Sequence, residues 1–309
     1  MKLSVIVCTR DRAHAILPCL DSIVQSLSQA APVDAEIVVV DNGSTDATSS
    51  LLRDWAATCP FPVNIQFEPR KGVCNARNRA LSVAKGELLV FTDDDCRLDK
   101  NHITAALQHD ARDTELVFRG GRVELGDPQD LPLSIKTETA TQYWQKDTRP
   151  DNFDLHCAFI GANMTMRRAL ADKIGLFDER FGPGTSLPGG DDVDYIFRAY
   201  LAGVRVEYVP DMVVFHHHGR RTSSAGHKLM RNYMVALGGQ YAKYIFRHFD
   251  FCRPAYWDLK KALREIVFKE KFDGPNPYFS FKHLVAYNML GSMNYLTASV
   301  KKQMSGART

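Results

Sequence analysis

Apolar positions in the first third of the chain switch repeatedly between two rhythms. Lys2–Cys8 is a short, β-branched apolar run, the pattern of a strand buried on both faces. From Ala13 to Leu27 the apolar residues Ile16, Leu17, Leu20, Ile23, Val24 and Leu27 recur at helical spacing. Glu36–Asp41 is a second buried strand, and Asp41-Asn-Gly-Ser-Thr-Asp46 is turn chemistry. A helix through Trp55 follows, with Thr45 or Asp46 placed to cap it. Val63–Glu68 reads as a strand, Gly72–Ala84 as a helix ended by Gly86, and Glu87–Phe91 as a strand. Four strand-helix alternations imply an α/β fold with a mostly parallel central sheet flanked by helices.

The pattern then loosens. A helix is expected over Lys100–Asp110 and a strand pair or bent strand over Leu116–Leu125. Gly126–Pro132 is rich in turn residues, and Phe159–Arg167 alternates like a strand. A glycine-rich loop, Gly182–Gly190, leads into a helix over Asp191–Gly203. Val204–Tyr208 and Met212–Phe215 are strand pieces, and the second runs into His216-His217-His218. Gly219–Gly226 is small and polar, the composition of a mobile loop, and the chain beyond it reads as helical. Two regions are therefore expected: 1–218, an α/β domain, and 219–309, a mobile loop and helical extension.

Charge sharpens that division. The chain of 309 residues carries +3 overall, but residues 1–218 sum to −8 and residues 219–309 to +11. The basic extension also holds 15 of the 31 aromatic residues, so an anionic partner is expected for it. The seven cysteines show no C-x-x-C spacing, and no apolar run reaches the roughly 18 residues of a membrane span. A reducing, cytoplasmic location is the expectation, with the extension resting on the inner face of a membrane or forming a homo-oligomer interface.

The candidate chemistry lies where the strands end. In a parallel sheet, ligands bind at the carboxyl ends. Here those ends carry Thr9-Arg10-Asp11, Asp41-Asn42-Gly43 and Asp93-Asp94-Asp95. Three adjacent carboxylates repel one another unless a cation sits among them, and hard oxygen ligands suit Mn²⁺ or Mg²⁺. A solvated acidic turn is the alternative reading. The glycine-rich phosphate loops G-x-G-x-x-G and G-x-x-x-x-G-K-[ST] are absent after the first strand.

Taken in order, VIVCTRDR, IVVVDNGSTD, GVCNARNRAL, FTDDDC, GANMTMRR and GGDDVDYIFRAYLAG with the histidine cluster resemble the family 2 glycosyltransferases. The resemblance covers roughly residues 2–218 and implies a glycosyltransferase A-type fold. It also implies an inverting enzyme that moves a sugar from a nucleoside-diphosphate donor, a UDP-sugar by family prevalence, to a glycan or lipid-linked saccharide. On that resemblance Thr9, Arg10, Asp11 and Asp41 line the nucleotide pocket, and Arg77 contacts the nucleotide. Arg10 stands where the family often has an aromatic residue. Asp93, Asp94 and Asp95 match the D-x-D region, with Asp95 the preferred metal ligand and Asp93 or Asp94 on the sugar-nucleotide or the ion. Asn163 is expected near the donor sugar or the acceptor. Asp192, preceded by Asp191, matches the catalytic acid pair, and Asp192 is the expected general base. His216, with His218 on the same strand face, could add a metal ligand. Arg220 or Arg221 is expected to pair with the diphosphate as the loop closes.

Two other readings compete. A nucleotidyltransferase could share the sheet and the acidic site, although Cys8-Thr-Arg-Asp-Arg12 lacks the glycines of its phosphate loop. A non-catalytic sugar- or nucleotide-binding module is the third. No nucleic-acid partner is expected.

Overall fold

The first apolar run forms β1 (Leu3–Thr9), the centre of a parallel ladder in a computed structural model that describes residues 1–146, 155–248, 252–270, 278 and 280–306. β2 (Ala35–Asp41) and β4 (Leu88–Asp93) pair with it on either side, and β3 (Val63–Phe67) extends the ladder beyond β2. Leu3, Val5 and Val7 on one face of β1 and Ser4 and Ile6 on the other are all buried, as a strand covered on both faces requires. Ile16, Leu20, Ile23 and Leu27 of α1 (Ile16–Gln29) pack against the same core. Burying a side chain of this size stabilises by about 1.5–3 kcal/mol.

The later strands reverse the ladder. β8 (Asn163–Arg167) runs antiparallel to both β4 and β6 (Val117–Leu125). β9 (Arg205–His216) lies parallel to β6 and antiparallel to β5 (Cys96–Leu98) and β7 (Gln142–Trp144). Among the described residues nine strands form one sheet in the order β3-β2-β1-β4-β8-β6-β9-β5, with β7 also on β9. The architecture is α/β, a central sheet flanked by helices with a helical C-terminal segment. The two strand pieces expected before the histidines are one strand. Its register shifts against β6 between Gly121 and Arg122, around Pro210, which has no N–H to give the ladder.

Two local expectations are corrected. Gly86 does not cap α3 (Val73–Val83), whose C-cap is Ala84. It lies against β1, donates its N–H to Ser4 Oγ at 2.8 Å, and leaves no room for a Cβ beside the Leu3–Ser4 backbone. The polar stretch Gly219–Gly226 is not a loop throughout. α7 (Ser223–Tyr244) starts inside it, because the Thr222 hydroxyl accepts from the Ala225 N–H and caps the helix.

By packing, the chain divides into two units. One comprises Met1–Phe177 with Asp192–Gly219, and the other Asp178–Asp191 with Arg220–Thr309. The segment Asp178–Asp191, which the sequence reading left in the first domain, packs with the second unit. There Asp178 pairs with Arg180 and with Lys243 on α7, the latter at 2.7 Å. The second unit is otherwise α7, α8 (Cys252–Val267) and α9 (Phe281–Gly306).

Candidate functional site

Strand register brings the polar ends together. Thr9 stands opposite Asp41, and Cys8 opposite Asp93. The turn after β1 is tight, and Asp11 adopts φ 53°, a left-handed conformation that Asp tolerates better than most residues. Its carboxylate accepts from the Thr45 N–H at 2.7 Å, which ties the β1 turn to the β2 turn. Arg10 donates to the Asn42 carbonyl at 2.8 Å and so lies over the β2 turn. Asp41 is buried, with one carboxylate oxygen accepting from the Ser44 N–H at 2.8 Å and the other from the Ser49 hydroxyl.

The acidic triplet closes β4. Asp94 and Asp95 are buried and Asp93 is half-buried. Arg12, which sequence reasoning missed, reaches back across the turn to both buried acids. Its Nε is 3.2 Å from Asp94 and its Nη2 3.1 Å from Asp95. The signal was available in principle: the T-R-D-R turn offers two arginines, and three adjacent acids need a counter-charge. Arg77 of α3 is buried, 3.4 Å from Asp93, with its guanidinium over the Phe177 ring. It is a counter-ion of Asp93 held by a cation–π contact.

Burial is the first cause of the perturbed acidities here. It pushes the Asp93 carboxyl up, with the neighbouring Asp95 and Asp192 charges acting in the same direction against Arg77. Asp94 is pushed up to about 7 by burial and by Asp95, with Arg12 opposing. Desolvation acts to lower His216, yet its hydrogen bond and charge contact with Asp95 raise it above the usual value.

Asp95, Cys96 and His216 bring ligand atoms within 4.8 Å of one another. His216 sits at the end of β9 opposite Cys96 on β5. Its Nδ1 faces the Ser134 carbonyl at 3.1 Å, which turns Nε2 toward Asp95 at 3.3 Å. An outer hydrogen bond of this type orients a histidine that ligates metal. Burial pushes the Cys96 thiol up, so the carboxylate oxygen of Asp95 and the imidazole nitrogen of His216 are the readier donors. The carboxylate oxygen of that set suits Mn²⁺ or Mg²⁺. The geometry groups Asp95 with His216, whereas Asp93 is paired with Arg77. His218 is turned elsewhere: its ring nitrogens face Leu131 O at 3.1 Å and Asp130 at 3.6 Å.

Asp192 lies in the first turn of α6 (Asp191–Leu201). Its Oδ2 accepts from the Gly161 N–H at 2.8 Å, and Oδ1 accepts from the Val193 N–H. A Cβ on Gly161 would fall 3.0 Å from the Asp192 Cβ, so glycine lets the acid sit this close. Asp191 opens the helix and is buried. Asn163 departs from expectation. It is fully buried, its amide donates to the Arg122 and Met212 carbonyls, and its oxygen meets His102 Nε2. It ties β6, β8 and β9 together and has no surface for a sugar. Arg220 and Arg221 belong to the second unit, just ahead of α7.

Several known proteins are similar to this chain. A glycosyltransferase from Haloferax volcanii, AglE, is 25% identical over 215 residues, covering 69% of this chain and 66% of the relative. The glycosyltransferase YfnE of Bacillus subtilis is 26% identical over 239 residues, covering 77% of this chain and 55% of the relative. Human polypeptide N-acetylgalactosaminyltransferase 6 is 24% identical, with 59% of this chain and 32% of the relative covered. The matches thus span from about a third to two thirds of these relatives' own length. Among solved structures, the mannosyltransferase PcManGT from Pyrobaculum calidifontis, in complex with GDP-Man and Mn²⁺, superposes with TM-score 0.61 at 21% identity, covering 96% of this chain and 87% of that one. S. aureus TarS 1-349 in complex with UDP-GlcNAc gives 0.57 at 20% identity, covering 99% and 92%. Residues 4–175, more than half of the sequence, match the profile of Glycosyl transferase family 2, and the chain belongs to that family.

Proposed function

We propose that this protein is an inverting, metal-assisted glycosyltransferase. It takes a sugar from a nucleoside-diphosphate donor, a UDP-sugar as the leading class, and delivers it to a hydroxyl of a glycan or lipid-linked saccharide. The observation that carries the reading is the convergence of Asp192, the acidic triplet and His216 at one edge of the sheet. The charge of Asp192 reaches Asp93, while Asp95 and His216 pair beside it.

On this reading the nucleoside lies along Thr9, Arg10, Asp11 and Asp41. The diphosphate faces Asp93, Asp94 and Asp95. Asp95 and His216 would hold Mn²⁺ or Mg²⁺, which when bound neutralises charge on the departing diphosphate. Asp192 takes the proton of the acceptor hydroxyl as that oxygen attacks the anomeric carbon. The bond from that carbon to the diphosphate oxygen breaks, and the nucleoside diphosphate leaves with the electron pair. The Gly161 N–H fixes the carboxylate during the transfer.

A panel of nucleotide sugars, screened with Mn²⁺ and with Mg²⁺, identifies the donor. On that donor, Asp192→Asn is expected to keep nucleotide binding and to lower turnover by about 10²–10⁴-fold, the range of general-base catalysis. Transfer at the normal rate by Asp192→Asn overturns the base assignment.

A further inference from the structure

The second unit carries an apolar surface that the transfer chemistry does not use. On α8, Tyr256, Leu259, Leu263, Ile266 and Val267 recur at three- and four-residue steps and are all exposed, Val267 at 64%. They share one face of a helix with 3.6 residues per turn. Phe268 follows the helix end at 70% exposure. On α9, Met289, Met293, Leu296 and Val300 form a second exposed stripe, with both methionines at 65%. Contiguous exposed apolar residues of this kind mark an interaction surface.

Charge placement on α8 identifies the partner. Its two acids are turned onto neighbouring helices. Asp258 accepts from the Tyr241 hydroxyl on α7 at 3.0 Å, and Glu265 accepts from the Lys282 N–H on α9 at 2.7 Å. The exposed bases Arg253, Lys260 and Arg264 line the flank beside the apolar face, with Lys261 further round. Arg264 is partly offset by Glu270 at 2.9 Å. Trp257 stands among these bases, with Lys260 over its ring. Apolar residues bordered by Lys, Arg and Trp suit the boundary between headgroups and acyl chains. No helix among the described residues is long and apolar enough to cross a membrane.

We propose that α8, with the outer stripe of α9, is an interfacial docking surface for an anionic lipid bilayer. A second copy docking through this same face would present the same positive charge, since residues 219–309 carry +11. An anionic bilayer complements that charge and accepts the apolar face as well. The proposal concerns the second unit alone and stands whether or not the transfer reading holds.

Flotation of the full chain with vesicles of phosphatidylcholine, with and without phosphatidylglycerol, tests it. Binding is expected to the anionic vesicles at low salt and to fall as salt is raised. Lys260→Gln with Lys261→Gln should weaken partition by roughly fivefold per charge, with circular dichroism unchanged. Leu263→Ser with Ile266→Ser should abolish it. Three results would overturn the proposal: no partition onto anionic vesicles, full partition by the lysine variant, or a wild-type dimer that Leu263→Ser with Ile266→Ser dissociates while vesicles capture nothing.

Discussion

The first unit contains two buried charge clusters made of the same residue types, and they differ in balance. Near the start of β6 and β9, Arg119 donates to Glu207 at 2.6 Å and to Asp113 at 2.8 Å, and Arg205 also reaches Asp113. Beside them Asp110 is held by Arg167 at 2.6 Å and by Lys2 at 3.0 Å. Every acid there has a basic partner. Desolvation would lower the Arg119 pKa, yet its carboxylate partners raise it, and Asp110 is lowered by Arg167 and Lys2 despite its burial. At the strand ends, Asp93, Asp94, Asp95 and Asp192 outnumber Arg12 and Arg77, and both Asp93 and Asp94 are raised. The matched cluster holds strands in place. The unmatched one would be relieved by an added cation, as the proposed function requires.

Removing an arginine from each cluster tests that contrast most strongly. Arg119→Ala strands Glu207, leaves Asp113 with Arg205 alone, and is expected to cost about 3–5 kcal/mol of folding stability by urea melt. Arg12→Ala removes a partly exposed side chain and should cost about 1 kcal/mol or less. Equal losses would erase the distinction between the clusters.

The next effect is positional. Gly161→Ala pushes on Asp192 without removing a charge from either cluster. A misplaced base should lower turnover by about 10²-fold with nucleotide affinity unchanged. An unchanged turnover number would show that the contact with Gly161 does not position Asp192.

How much of this was legible beforehand follows from the physics of each residue. Continuous apolar runs ending in polar residues made β1, β2 and β4 readable, and with them the edge where Thr9, Asp41 and Asp93 meet. β5 and β7, three residues each, were not readable, because pairing with β9 creates them rather than local pattern. Asn163 looked like a site residue because Gly-Ala-Asn resembles one. Its role as a buried tie depends on carbonyls 41 and 49 positions away, which no local window contains. Arg12 was overlooked because its partners lie across the sheet, and the left-handed turn at Asp11 is what aims it there.

The smallest expected effect concerns pH. Asp94 has a folded pKa of about 7 against an ordinary 3.8, so the folded protein holds this proton where the unfolded chain has lost it. Its contribution to stability is complete below about 3.8 and is lost as pH rises to about 7. In metal-free protein, melting temperature should fall over that window by a few degrees more in wild type than in Asp94→Asn. Identical slopes would remove Asp94 from the account.

The central claim, that the unmatched cluster is built for a cation shared with a nucleotide, has a direct test. Calorimetric titration of UDP, and separately GDP, with and without Mn²⁺ compares wild type with Asp95→Asn. One nucleotide should bind wild type more tightly when Mn²⁺ is present, and Asp95→Asn should lose that enhancement. Nucleotide affinities indifferent to Mn²⁺, or an enhancement that survives in Asp95→Asn, would contradict it.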